Sequence, residues 1–348
     1  MRLQIIHPGI LATVQDGGRP LMRRYGVPTG GAADRYAFRL ANAVLGNDPA
    51  CAVTETAGSG FQAVAQEAGV CAWIGPGSQL LVNGEDMPQG RAFHVAAGAR
   101  MEIRGGGKYQ YLAEQGGWQG AKVLGSSAYC RAGQFGGGYG RPLQKNDLLH
   151  APLLPVSLHK QLPWYIAPRF LSPLSPSDSP PVSSPVDAHH AASPQPKHTD
   201  MRDAPFARIR LLPGPEHDEW PAAAVEALTH HPAEAGSRRD RVGIQLHTPA
   251  DLRHPAPGKM WSAGITVGAM QIPPDGQPFV LLSDAQTTGG YPRIAQVAAA
   301  DLPLLVRLPV RAKIMFEWID SNEAFVLLAK QEKQIECLAQ SCRLALGL

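Results

Sequence analysis

Apolar runs in this chain are short, and turn signals bound nearly all of them. Period-two or continuous runs recur at 3–6, 71–74, 79–82, 100–103, 109–113, 209–212, 265–272, 279–282 and 313–318. Asn83-Gly84 and Pro274-Asp275-Gly276 are two of the turns between them. The second predicts a hairpin from Met270-Gln271-Ile272 to Phe279. With 37 Gly and 32 Pro in 348 residues, short strands must outnumber long helices. The expected class is therefore mainly β with a few helices.

Two helices stand out against that background. Over 35–45, Ala37, Leu40, Ala41, Val44 and Leu45 form one apolar stripe, with Asp34 suited to cap the start and Gly46-Asn47 to stop it. A second begins near Asn322, where Asp320 and Glu323 suit a capping box. Leu328, Ile335, Leu338, Cys342 and Leu346 then repeat at helical spacing, facing either the chain's own core or a partner. Between 171 and 205 the composition turns to Pro, Ser, Ala and His, too poor in large apolar side chains to offset ordering entropy. That segment reads as a flexible linker. It divides the chain into an N-terminal domain, 1–170, and a C-terminal domain, 206–348, each long enough to bury a core.

Composition excludes several classes. The formal net charge of +3 is small, and Lys and Arg are scattered without a basic run among aromatics, so no nucleic-acid partner is expected. No run reaches membrane-spanning length, and the first apolar run is too short for a signal peptide. Cys51, Cys71, Cys130, Cys337 and Cys342 have no zinc or redox spacing, and the 12 histidines do not cluster. The expectation is a reduced, cytoplasmic protein without a structural metal.

Two polar constellations carry the chemistry. The first is Ser283-Asp284-Ala285-Gln286-Thr287-Thr288-Gly289-Gly290-Tyr291-Pro292, directly after the apolar Phe279-Val280-Leu281-Leu282. A strand end that presents a carboxylate, an amide, two hydroxyls, a Gly pair and a phenol suits a small polar or anionic substrate. It equally suits a turn that braces its own backbone. The second joins Thr13-Val14-Gln15-Asp16-Gly17-Gly18-Arg19-Pro20 to Gly30-Gly31-Ala32-Ala33-Asp34-Arg35, with Asn42, Asn47 and Glu55 following. Backbone N–H groups at the helix start, with Arg19 and Arg35 as forks, fit a carboxylate or phosphate. The alternative is structural: Asp34 caps, and the arginines pair with Asp16 or Glu55.

Further segments are plainer. Gly133-Gln134-Phe135-Gly136-Gly137-Gly138-Tyr139-Gly140-Arg141 fits a glycine-rich hairpin better than a phosphate loop. Ser237-Arg238-Arg239-Asp240-Arg241-Val242-Gly243 is a cationic patch that could face the Asp284 loop. No Walker loop, Rossmann turn, nucleophile signature or biotinyl-lysine context is present, so any catalysis would work by positioning and electrostatics.

Taken together, these segments resemble the KipA-like family, also described as the C subunit of bacterial ATP-dependent 5-oxoprolinase and as the second subunit of the urea amidolyase-type carboxyltransferase. The matching residues include Thr13-Val14-Gln15-Asp16, Gly18-Arg19-Pro20, Gly26-Val27-Pro28, Asp34-Arg35, Leu40-Ala41-Asn42, Glu55, Arg131-Ala132-Gly133, Pro213-Gly214-Pro215, Asp240-Arg241, Gln271-Ile272-Pro273, Asp275-Gly276-Gln277-Pro278 and Gln286-Thr287-Thr288-Gly289-Gly290-Tyr291-Pro292. The resemblance implies two cyclophilin-like β-barrel domains beside a smaller, KipI-like B subunit. It further implies ATP with Mg2+, shared with that partner, used to phosphorylate 5-oxoproline before the 5-oxoprolinase A subunit finishes ring opening to glutamate. A carboxyltransferase acting on urea-like substrates from carboxybiotin, or a regulator that antagonises a KipI-like kinase inhibitor, are the alternatives.

On this reading Asp34, Asp284 and Tyr291 are the catalytic candidates. Gln15, Asp16, Arg19, Arg35, Asn42, Gln271, Gln286, Thr287, Thr288, Gly289 and Gly290 are the substrate- or phosphate-binding ones. Asp284→Ala is expected to abolish turnover and leave folding intact. The chain departs from the family pattern at Gly30 (usually Ser), Ala33 (Met), Ser127-Ala128 (Arg-Ser), Arg239 (Ser), Ala263 (Glu) and Arg307 (Gln).

Overall fold

The computed structural model describes residues 1–152, 171, 206–255 and 260–346; the linker expected over 171–205 lies almost wholly outside them, as do 153–170. The molecule is mainly β. In the N-terminal half two sheets face each other. The six-stranded sheet runs Leu148–His150, Arg2–Pro8, Phe61–Ala65, Arg100–Gly105, Ser78–Val82, Glu85–Met87 in spatial order. The five-stranded sheet runs Leu11–Gln15, Val53–Ala57, Tyr109–Glu114, Gly69–Ile74, Ala92–Val95. Between them Leu3, Ile5, Phe61, Trp73, Leu80, Met101, Ile103 and Leu112 form one core.

The five-stranded sheet is covered on its other face too, and its sequence says so. Gly69–Ile74 and Tyr109–Glu114 are buried at every residue, so their apolar runs do not alternate. The cover is helix α1 (Arg35–Val44), packed into a second core with Ile74, Tyr109, Tyr111 and the C-terminal half. Asp34 caps α1 as its sequence predicts, its Oδ1 accepting from the Ala37 N–H at 2.9 Å.

The C-terminal half closes into a seven-stranded barrel, in the order Ala207–Pro213, Arg293–Val297, Ala269–Gln271, Phe279–Leu281, Gly243–His247, Ala233–Arg239, Lys313–Trp318. The 273–278 hairpin forms as expected, pairing Met270 with Val280 and Gln271 with Phe279. The apolar run 265–272 is a strand only over Ala269–Gln271, because a turn at Val267-Gly268 interrupts it. Gly268 stands at φ +91° and so supplies the bend.

Helices α2 (Ala222–His230) and α3 (Leu302–Arg307) flank the barrel, and α4 (Ser321–Leu346) ends the described chain. The capping box forms reciprocally: Glu323 N–H to Asp320 Oδ1 at 2.8 Å, Asp320 N–H to Glu323 Oε2 at 3.1 Å. Of the two surfaces open to α4, it takes the chain's own. Ile335 and Cys342 are buried, Arg39 of α1 pairs with Glu332, and Arg343 donates to the Gly46 and Asn47 carbonyls at 3.2 Å. No helix among the described residues is long and apolar enough to cross a membrane.

Candidate functional site

Where the two halves meet, Arg241 is fully enclosed and carries the densest polar network of the described residues. Its Nε and Nη2 donate to the two Asp284 oxygens at 3.0 and 2.9 Å. Nη1 pairs with Glu55, and Nη2 also donates to the Gly31 carbonyl and, at 3.5 Å, to Gln15 Oε1. Burial would lower the Arg241 pKa, but Glu55 and Asp284 overturn that and hold it well above the ordinary value. A cation from the barrel is thus neutralised by one carboxylate from each half.

The network continues into the N-terminal half. Glu55 Oε2 accepts from the Ala33 N–H and the Tyr111 hydroxyl, each at 2.8 Å. That hydroxyl accepts in turn from the Asp34 N–H at 2.7 Å, and Asp34 Oδ2 pairs with Arg307 of α3. Burial, then Glu55 and Asp34, push the Tyr111 phenol well above its ordinary pKa, so it stays a neutral relay. Asp284 Oδ2 also accepts from the Arg131 N–H at 3.0 Å.

Beside it, Asp16 ties the strand end to the 121–128 loop. Its oxygens accept from Gly18 N–H at 2.8 Å, and from Ser126 Oγ and Ser127 N–H at 2.6 Å. Arg19, also fully buried, donates to the Val123 and Ala128 carbonyls at 3.0 and 2.6 Å and stacks its guanidinium 4.9 Å from the Phe135 ring centroid. Its Nη1 has no hydrogen-bond partner among the described residues and lies beside Gly30. Burial lowers the Arg19 pKa against the pull of Asp16, Cys130 and Asp284. The segment 133–141 is a hairpin arm, Phe135–Gly136 pairing Tyr129–Cys130.

The fold brings Gln15, Asp16, Arg19, Asp34 and Asp284 together as a buried floor. Gln15 holds Thr13 Oγ1 and the Tyr129 carbonyl at 3.0 and 2.9 Å. Above it lies an accessible loop: Gln286, Thr288, Gly290 and Tyr291 are exposed, Thr287 and Gly289 half-buried. Tyr291 is 48% exposed, so it is not packed in the core. Gln271 is buried beneath, donating to the Tyr291 carbonyl at 3.3 Å. Arg23 staples this loop to the first half through the Ile265 and Gln286 carbonyls, both at 2.7 Å.

Two expected members fall elsewhere. Arg35 lies exposed beside Arg39 and Glu332 on the α4 side of α1. Asn42 braces the end of α1, donating to the Cys51 carbonyl and accepting from Asn47, both at 3.0 Å. The Gly30 N–H is already committed to the Ser283 carbonyl at 2.9 Å, so it is not free for an anion.

Arg241, Glu55, Tyr111, Ser126 and Arg23 were not among the expected site residues. Glu55 had a signal, since a carboxylate stands mid-strand in the wholly buried Val53-Thr54-Glu55-Thr56. Arg241 lay in the cationic patch expected to face Asp284, and it alone of that patch reaches it. The carboxylates do not fit Mg2+ as they stand. Each oxygen of Asp16, Asp34, Glu55 and Asp284 already accepts a hydrogen bond, and all four residues are buried.

Against known proteins, residues 25–318 match the family described as carboxyltransferase domain, subdomain A and B, and the chain belongs to that family. It is 30% identical over 340 residues to the 5-oxoprolinase C subunit of Escherichia coli, covering 97% of each chain. To the protein of the same description in Haemophilus influenzae it is 30% identical, covering 92% of each. The fold is similar to that of the Kluyveromyces lactis urea carboxylase, with a TM-score of 0.77 at 24% identity over 97% of this chain and 29% of that one.

Proposed function

We propose that this chain is the C subunit of an ATP-dependent 5-oxoprolinase. It acts with a KipI-like B subunit to phosphorylate 5-oxoproline, and the A subunit then opens the ring. The end-to-end correspondence with the E. coli protein carries this reading. The exposed loop 286–291 meets the substrate, with Thr287, Thr288 and the backbone of Gly289-Gly290 as its donors. The buried Arg241–Glu55–Asp284 set holds that loop in place. ATP and Mg2+ are shared with the B subunit, which supplies metal ligands that the buried carboxylates of this chain do not.

The test is ADP release driven by 5-oxoproline, in the presence of the A and B subunits, with and without this chain. Release that requires the chain supports the reading. Tight binding to the B subunit with no ADP overturns it in favour of a regulatory protein of the KipA type. Carboxyl transfer is the second reading, favoured by the urea carboxylase fold. It requires a biotin carrier and is tested by consumption of carboxybiotin in the presence of urea.

A further inference from the structure

A small cavity lies between the two halves, at the end of the network remote from Asp284. Asp34, Pro76, Lys108 and Tyr109 line it from the first half, Val306 and Arg307 from the second. Its free space is about the size of one water molecule.

The lining is cationic and short of acceptors. The Arg307 side chain is only 8% exposed. Its Nε is paired with Asp34 and its Nη1 donates to the Leu171 carbonyl at 2.7 Å, which leaves Nη2 without a partner among the described residues. Lys108 Nζ lies 5.6 Å from the Tyr109 ring centroid and makes one long bond, 3.3 Å, to the Arg239 carbonyl, although an ammonium has three donors. Beside the cavity the Arg239 guanidinium sits on the Val306 and Leu308 carbonyls, its Nε also unpartnered. Burial lowers the Lys108 pKa and Arg239 lowers it further, with Asp240 opposing and Arg131 adding to the effect. The one carboxylate in the lining, Asp34, has both oxygens engaged. The lining thus sets two cations, with Arg239 beside them, against one occupied carboxylate, and a buried donor is left without an acceptor among the described residues.

We propose that this cavity binds a single small halide ion, such as chloride, between Arg307 Nη2 and Lys108 Nζ. The site needs no partner protein, so its failure and that of the 5-oxoprolinase reading are separate results.

The full chain is melted across chloride and formate titrations at fixed ionic strength, with gluconate, too large for the cavity, as the balancing anion. A saturable rise in melting temperature is expected, with the apparent affinity weakened at least tenfold in Arg307→Gln and in Lys108→Met. A bromide-soaked crystal should show an anomalous peak within hydrogen-bond reach of Arg307 Nη2. A response to chloride but not to formate supports the site, and an equal response to formate, which a one-water space excludes, overturns it. If Arg307→Gln fails to fold, Lys108→Met decides, because Lys108 gives up only its one long bond and a contact with the Tyr109 ring face. Melting that responds to neither anion, or equally in wild type and Lys108→Met, overturns the proposal.

Discussion

Asp284 and Tyr291 stand in one loop and in opposite environments. Asp284 is fully buried and supplies two of the bonds that neutralise Arg241, whereas Tyr291 is half in solvent. The expectation that Asp284→Ala leaves folding intact therefore gives way. Breaking a buried pair from one side strands the other charge, at a cost of about 3–5 kcal/mol. Urea unfolding should show that loss alongside any loss of turnover. Tyr291→Phe should shift stability by no more than about 0.5 kcal/mol, as exposed substitutions do. If its phenol touches substrate, turnover should fall at least tenfold with the unfolding midpoint unchanged. Sequence marked Asp284 but not its partner. Arg241 lies among Arg238, Arg239 and Asp240, and a run of charges gives no sign of which one turns inward.

At the scale of elements, the pieces with local signals were the legible ones. Asp34 and the 35–45 stripe gave α1, the 320–323 box gave the start of α4, and Asn83-Gly84, both at positive φ, gave the turn from Ser78–Val82 to Glu85–Met87. What α4 packs on was not legible, since an amphipathic helix carries no address. For α4, Asp320→Ala should cost about 1 kcal/mol, the loss of one cap. Ile335→Ala should cost about 2–5 kcal/mol, because Ile335 is buried in the core shared by both halves. Chemical denaturation of the two variants separates capping from docking.

The strand Tyr109–Glu114 makes a further prediction. Burial pushes Glu114 up to about 7, against the lowering effect of its bond with the Cys71 thiol. An acid raised in the folded state binds its proton more tightly there than in the unfolded chain. Its contribution is therefore complete below about pH 4.5 and is lost as pH rises through about 7. Glu114→Gln should flatten the fall in stability across that window, measured by melting temperature against pH.

For the molecule as a whole, the mainly β class followed from short runs and abundant turns, and the C-terminal barrel closes as the resemblance implied. The way the halves meet was not written in any local pattern. It depends on Gln15, Gly31 and Glu55 from one half reaching Arg241 of the other, and on the Arg131 N–H reaching Asp284. Arg241→Met should cost at least about 3–5 kcal/mol and should split one calorimetric transition into two. The triple variant Glu55→Gln, Arg241→Met, Asp284→Asn should recover much of that loss, because no charge is then left stranded.

That shared cation makes each half an incomplete solution to its own electrostatics. Cut apart, the first half would keep Glu55 in a nonpolar setting with no counter-ion, and the barrel would expose Arg241 with half its acceptors gone. The chain behaves in this respect as an obligate heterodimer that happens to be one polypeptide. Its two parts cannot drift independently in evolution, because a change of charge at any of these three positions must be answered from the opposite side of the seam.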